Sequence, residues 1–281
     1  MQAAARRAGA GESAGLARVH APAKGRDGMN ALGMAALGTG FTFLMTSLGA
    51  AMVFFFKKAV SANIQRIFLG FAAGVMLAAA IFGLIIPSLE YGNVWVTCAG
   101  ILAGAICLNF ADKLTPHLHR ITGLDQEAHA DKQSHLNKVM LFVMAIAIHN
   151  LPEGIAAGVG FGSEDIGNAI TVALGIALQN IPEGMVIVSP LLLAGVPAKR
   201  VFFIACFTGV IEIVGTMLGY AAVTIASVIL PAALAFAGGT MIYVVSDEMI
   251  PETHSHGYER LATYSMLAGF ILMILMDHYI S

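Results

Sequence analysis

Apolar runs of about 20 residues, each long enough to cross a bilayer as a helix, alternate with short polar breaks from residue 33 to the end of the chain. Eight such runs are legible: Gly33–Phe56, Ile64–Leu89, Val94–Ala111, Val139–Gly160, Ile166–Leu193, Val201–Thr224, Ile225–Val245 and Leu261–Ile280. The join between the sixth and the seventh carries no charge. The pattern predicts an all-α integral membrane protein, with residues 31–281 as a single domain of eight transmembrane helices. Residues 1–30 are rich in Ala, Arg and Gly and lack the apolar stretch of a signal peptide. They read as a disordered N-terminal tail, within which Met29 can begin a shorter chain.

Composition narrows the class. Of 281 residues, 58% are hydrophobic and only 11% charged, where a soluble domain carries about 25% charged residues. An ordinary cytosolic enzyme is excluded at that ratio, and the mean hydropathy of +0.80 agrees. Cys98, Cys107 and Cys206 lie in apolar runs without a CxxC pair, so neither a disulfide framework nor a thiolate metal site is expected. The 31 glycines suit helices that pack closely in lipid, and such faces permit a homodimer.

The placement of charge orients the chain. Of the 15 Lys and Arg, five lie in the tail; the other ten are Lys57, Lys58, Arg66, Lys113, Arg120, Lys132, Lys138, Lys199, Arg200 and Arg260. Nine of these fall in the breaks after runs one, three, five and seven, Arg66 lies in the first turn of run two beside the first of those breaks, and none falls after two, four or six. The positive-inside rule makes the basic side cytoplasmic. Both termini then lie outside a multi-pass protein of the cell inner membrane, although the basic tail runs against that placement. Residues 112–137 form a cytoplasmic loop containing histidines.

Three carboxylates sit in the middle of apolar runs: Glu153, Glu183 and Glu212. No Lys or Arg lies in any run interior. A charge at the bilayer centre costs about 2.5–3.5 kcal/mol on insertion scales, so these acids are either protonated or joined by a cation. Their neighbours favour the cation. Ala147–Gly154 reads AIHNLPEG and Ala177–Gly184 reads ALQNIPEG, one pattern A-x-x-N-x-P-E-G repeated 30 residues apart. His149 with Glu153, and Gln179 with Glu183, are four apart and share a helix face. Asn150 and Asn180 stand at its edge. Consecutive spans run antiparallel, so the two motifs are related by a two-fold axis in the membrane plane and their polar faces can meet at mid-depth. Pro152 and Pro182 each remove a backbone donor and kink the helix, freeing the carbonyls of Ile148 and Leu178. Interrupted helices with polar groups at the midplane are how secondary transporters build binding sites. Imidazole, carboxylate and amide donors without thiolate suit zinc, iron(II), manganese or cadmium, and three carboxylates would nearly balance two divalent ions.

On these residues the sequence resembles the ZIP (Zrt/Irt-like) family of divalent metal transporters, in its bacterial branch, from about residue 33 to 281. The resemblance implies eight helices in a 3+2+3 arrangement with inverted symmetry, and a binuclear centre between helices four and five completed by helix six. One ion would take His149, Glu153, Gln179 and Glu183; the other would take Asn150, Glu153, Asn180, Glu183 and Glu212. Many family members have His where this chain has Gln179, relatives can carry a carboxylate at Asn180, and Asp247 stands where His is frequent. A path is implied as well: Glu90 and Asp277 at the outer mouth, Met76 inward of Glu90, and Asp247 and Glu248 at the cytoplasmic end of helix seven. Asp112, His117, His119, His129 and His135 follow helix three, and His254 and His256 lie in the PETHSHG stretch. The function implied is transport of zinc or a related divalent metal into the cytoplasm, with the ion as substrate, no organic cofactor and no enzymatic activity. Its partners are metal ions and lipid, not nucleic acid. Two other readings use the same acids: an intramembrane metallohydrolase, which lacks the expected HExxH pattern, and a proton-coupled transporter of a non-metal substrate.

Overall fold

Lipid offers no water to backbone N–H and C=O groups, so each apolar run must close its own hydrogen bonds as a helix. The computed structural model describes residues 28–55, 61–114, 132–163, 165–254 and 259–280, and among them there is no strand. Eight long helices follow one another. α1 is Gly28–Ala51, ending in a 3₁₀ turn at Met52–Phe54. α2 is a continuous rod of Ala62–Ala78, the π-wound Ala79–Ile85 and Ile86–Tyr91. α3 is Val94–Leu114, α4 Lys132–Gly162, α5 Ile166–Leu193 and α6 Ala198–Ile225. α7 joins Leu230–Val244, the π-wound Val245–Met249 and Ile250–His254, and α8 is Glu259–Ile280. Among the described residues seven of these are long and apolar enough to cross a membrane; α4 carries His149, Asn150 and Glu153 within the apolar run Val139–Gly160. Trp95, Phe110, Phe203 and Met217 point outward, as residues facing lipid do.

The sixth and seventh runs divide later than hydropathy suggests. α6 continues to Ile225, Ala226 leaves the helical region at φ −139° and ψ 78°, and Ser227–Ile229 turns the chain before Pro231 opens α7. Proline in the first helical turn sacrifices no intrahelical bond, whereas the uncharged join offers hydropathy nothing to detect. α7 also runs on through a π turn to His254, so Asp247 and Glu248 lie within the helix rather than closing it. Both α4 and α5 pass unbroken through their motif prolines. Helix enters the expected loop at 112–137 from both sides, up to Leu114 and from Lys132.

Helix pairing follows an inverted repeat. α1 packs on α5 and α4 on α6; α2 packs on α8 and α3 on α7; α2 also meets α5, and α7 meets α4. Exchanging one with six, two with seven, three with eight and four with five returns the same set of pairs, and the two π-wound rods, α2 and α7, exchange with each other. Glycines set the close approach. A Cβ on Gly154 would strike the carbonyl of Glu212, and one on Gly184 would strike the carbonyl of Thr46. The final glycine of each motif therefore seats its helix on the backbone of a neighbour, as small residues do in membrane interfaces. Gly215 and Gly49 return the contact against Leu151 and Ile181.

Gly74, whose Cβ would meet the Met266 carbonyl across the α2–α8 contact, gives a packing test. Overpacking costs about 1–3 kcal/mol or more. Gly74→Val is expected to lower the midpoint of thermal unfolding in detergent by several degrees, while Gly33→Ala, where no atom lies within 4 Å, leaves it unchanged.

Candidate metal centre

Asp165 caps α5 by accepting the Asn168 N–H at 2.9 Å, fixing where the helix starts and therefore the depth of its motif. The motifs of α4 and α5 then face each other. Gln179 Nε2 donates to Glu153 Oε1 at 2.5 Å, which joins the two repeats directly. Asn180 Nδ2 donates to Glu212 Oε2 at 2.8 Å and to the Thr42 carbonyl at 3.3 Å, drawing in α6 and α1. Glu183 lies within electrostatic reach of His149 and Asn150, and Glu153 within reach of both Glu183 and Glu212. All seven residues expected in the centre are thus brought to one place. Glu153 is 1% exposed and Glu212 0%, with Asn150, Gln179, Asn180 and His149 also buried and Glu183 half-buried.

The donors are not all used. Glu153 Oε2, Glu183 Oε1, Glu212 Oε1, Asn180 Oδ1 and both polar atoms of Asn150 are buried without a hydrogen bond. A buried group left unpaired costs about 1–3 kcal/mol, more when charged, and no Lys or Arg among the described residues pairs with any of the three glutamates. Five of the six orphan atoms are oxygen acceptors. Hard or borderline dications are the ligands that satisfy several convergent oxygens at once. No three His, Cys, Asp or Glu side chains among the described residues close into a cage on their own. The acids repel one another, and each of Glu153 and Glu212 turns one oxygen to an amide. Gln179 and Asn180 present N–H to these acids here, and rotation of either amide would present its oxygen instead.

Beyond the centre, Glu248 on α7 meets the ring of His149, with Oε1 2.9 Å from Nε2. This residue was expected only as part of a path, and the π turn of α7 is what aims it here. Asp247, next to it, is exposed. Glu90 is exposed in the last turn of α2, and Asp277 is half-buried in the last turn of α8, near enough to Asp165 for the two charges to interact. Met76 is 2% exposed within the apolar cluster that also holds Ile176 and Met273. His254 is pinned at the α7–α8 corner, its Nδ1 2.8 Å from Thr253 Oγ1 and its Nε2 3.1 Å from Thr263 Oγ1. The side chain of Asp112, all of His117, His119, His129 and His256, and the side chain of His135 lie outside the described residues.

Two contributors escape a reading by motif. Thr42 supplies its carbonyl to Asn180 and its side chain neighbours Glu212. Thr39, Thr42 and Thr46 form a buried stripe at helical spacing along α1; three threonines repeating at i, i+3 and i+7 in an apolar span were the available signal. Asp165 is the other, and an acid in a break before a helix reads first as a cap.

A family profile described as ZIP Zinc transporter matches residues 119–277, more than half of the chain. Zinc transporter GufA of Myxococcus xanthus is 39% identical over 241 residues, covering 83% of this chain and 93% of that protein. Zinc transporter ZIPB of Bordetella bronchiseptica is 37% identical over 262 residues, covering 88% and 81%. Zinc transporter ZIP11 of Homo sapiens is 32% identical over 339 aligned positions, covering 89% and 98%.

Replacing Glu153 by glutamine separates stability from binding. Glu153→Gln keeps an oxygen for the Gln179 N–H and removes a buried charge. The variant is expected to melt a few degrees higher than the parent protein in chelator, yet to lose the thermal upshift that zinc gives the parent. An undiminished zinc upshift would contradict the assignment of Glu153 as a ligand.

Proposed function

The chain belongs to the ZIP family of zinc transporters, and on that premise we propose that it carries zinc, or a related divalent ion such as cadmium, iron(II) or manganese, across the cell inner membrane into the cytoplasm. The relatives' names are those of zinc transporters and not of enzymes. The single observation that carries the finer reading is the Gln179–Glu153 bond, which fastens one copy of the motif to the other while leaving carboxylate oxygens unpaired on both sides.

His149, Glu153, Gln179 and Glu183 hold one ion. Asn150, Asn180 and Glu212 hold a second, with Glu153 and Glu183 shared between the two. Three carboxylates against two dications leave a small net positive charge in a medium that penalises charge, which favours departure of the first ion. Glu248 is supported as the first residue to receive the ion, because it already contacts His149. Asp247, Asp112 and His117 continue the path to the cytoplasm. Glu90 and Asp277 collect ions at the outer mouth, and Met76 is a soft contact on the way in. Lys199, Arg200 and the other loop cations support a cytoplasmic position for the basic ends.

Radiolabelled zinc uptake into proteoliposomes tests the reading. Glu153→Ala and Glu183→Ala are each expected to reduce initial uptake more than tenfold in protein that still elutes as a single species. Glu248→Gln, a path residue outside the centre, is expected to slow uptake while retaining bound zinc. Full uptake by both alanine variants would remove the centre from the mechanism.

A further inference from the structure

The contact between α4 and α6 is not uniform along its length. From Gly154 to Gly162 the helices touch backbone to backbone, with Gly215 and Gly219 on the facing side. Toward the N-terminal ends of both helices there are no facing glycines. Bulky side chains hold the pair apart there, and a groove of about 620 Å³ opens between them. Its walls are apolar, with Met144 and Ala147 on α4 and Phe203 and Phe207 on α6. Lys199 and Arg200, from the first turn of α6, complete its lining. Both are exposed, and among the described residues neither pairs with a carboxylate.

We propose that this groove binds one anionic phospholipid of the cytoplasmic leaflet, with an acyl chain between Met144, Ala147, Phe203 and Phe207 and the headgroup phosphate on Lys199 and Arg200. The proposal rests on the cytoplasmic placement of the basic loops, which puts the first turn of α6 at the cytoplasmic surface. Charge complementarity selects the occupant. Lys199 and Arg200 lie at the mouth of an apolar groove between two helices, and a basic pocket between membrane helices on this side suits a phospholipid headgroup. A snorkelling Lys or Arg reaches the phosphate level while its stem lies along apolar surface. The groove also lies close to the transport machinery. Ala147 is two residues from His149, and Thr208, at its inner end, is one turn from Glu212. A bound lipid would therefore brace the two helices that carry His149, Glu153 and Glu212 where they splay apart.

The full chain in detergent, titrated with dioleoyl phosphatidylglycerol or dioleoyl phosphatidylcholine and read by native mass spectrometry, tests the proposal. The parent protein is expected to retain one phosphatidylglycerol in preference to phosphatidylcholine. K199Q/R200Q is expected to lose that preference by roughly 25-fold, since each basic group near an anionic surface is worth about a factor of five. Arg260→Gln, on another helix, is expected to keep it. A second measurement does not depend on the double variant folding. Trp95 is the only tryptophan, so in Trp95→Phe/Phe203→Trp protein the new indole reports on the groove. Brominated phosphatidylglycerol is expected to quench it more strongly than brominated phosphatidylcholine. Equal retention of the two lipids by the parent, equal quenching, or a second copy of the chain shielding the indole from both lipids would each overturn the proposal. Sidedness is read separately, from labelling of Lys199→Cys by an impermeant maleimide in sealed right-side-out vesicles. If the lipid preference holds but the cysteine labels from outside, the orientation fails while the lipid site stands, moved to the outer leaflet.

Discussion

Carboxylates held in hydrocarbon without a basic partner are the constraint to which the rest of this molecule answers. Glu153, Glu183 and Glu212 reach one region from three helices, and no Lys or Arg among the described residues neutralises them. Hydrogen bonds from Gln179 and Asn180 cover one oxygen on each of two glutamates, which is as much as neutral amides can do. The remaining oxygens stay unpaired. Such an arrangement is expensive to fold, and protonation or a multivalent cation relieves the cost; on the proposed reading, stability is exchanged for metal affinity at this spot. Three helices can share so small a volume only because glycines let them touch. The glycine that ends each motif serves the same centre as the glutamate beside it, by bringing a neighbouring backbone within reach.

The inverted repeat explains both the symmetry of the centre and its departure from symmetry. His149 corresponds to Gln179, Asn150 to Asn180, and Glu153 to Glu183. Gly154 rests on the Glu212 carbonyl and Gly184 on that of Thr46, so Thr46 is the counterpart of Glu212 and the third acid has no acidic mate. The centre is therefore richer in negative charge toward α6 than toward α1. The imidazole breaks the symmetry a second time. His149 is reached by Glu248 from the π turn of α7, while Gln179 serves Glu153 within the centre. A π turn adds a residue to one turn of helix and so rotates the side chains of that turn, a device often found at functional sites; here it rotates Glu248 toward the ring.

Much of this was legible before any coordinates. A carboxylate inside an apolar run is conspicuous because its cost is large, and the doubled A-x-x-N-x-P-E-G pattern fixed which faces would meet. Spans bounded by charge, such as Ile166–Leu193, were placed to the residue, since charge marks the edge of the hydrocarbon sharply. At the uncharged join the end of α6 was placed one residue early and the start of α7 five residues early, because hydropathy is flat there and a helix stop depends on backbone geometry at Ala226. Neither π turn could be read, as both are wound from residues that suit an ordinary α-helix. Hence Glu248 was expected farther along the path and not against His149. Thr42 was missed for a different reason: one of its contributions is a backbone carbonyl, which any residue carries, and its side chain is marked only by the threonine repeat along α1.

Anomalous diffraction from zinc-soaked crystals, recorded above and below the zinc edge, tests the central claim most directly. The account predicts a zinc-specific peak between α4 and α5, about 2.0–2.2 Å from carboxylate oxygens of Glu153 and Glu183, with a neighbouring peak on the Glu212 side. Density confined to the histidines beyond the membrane, with nothing between the two proline-containing helices, would contradict it.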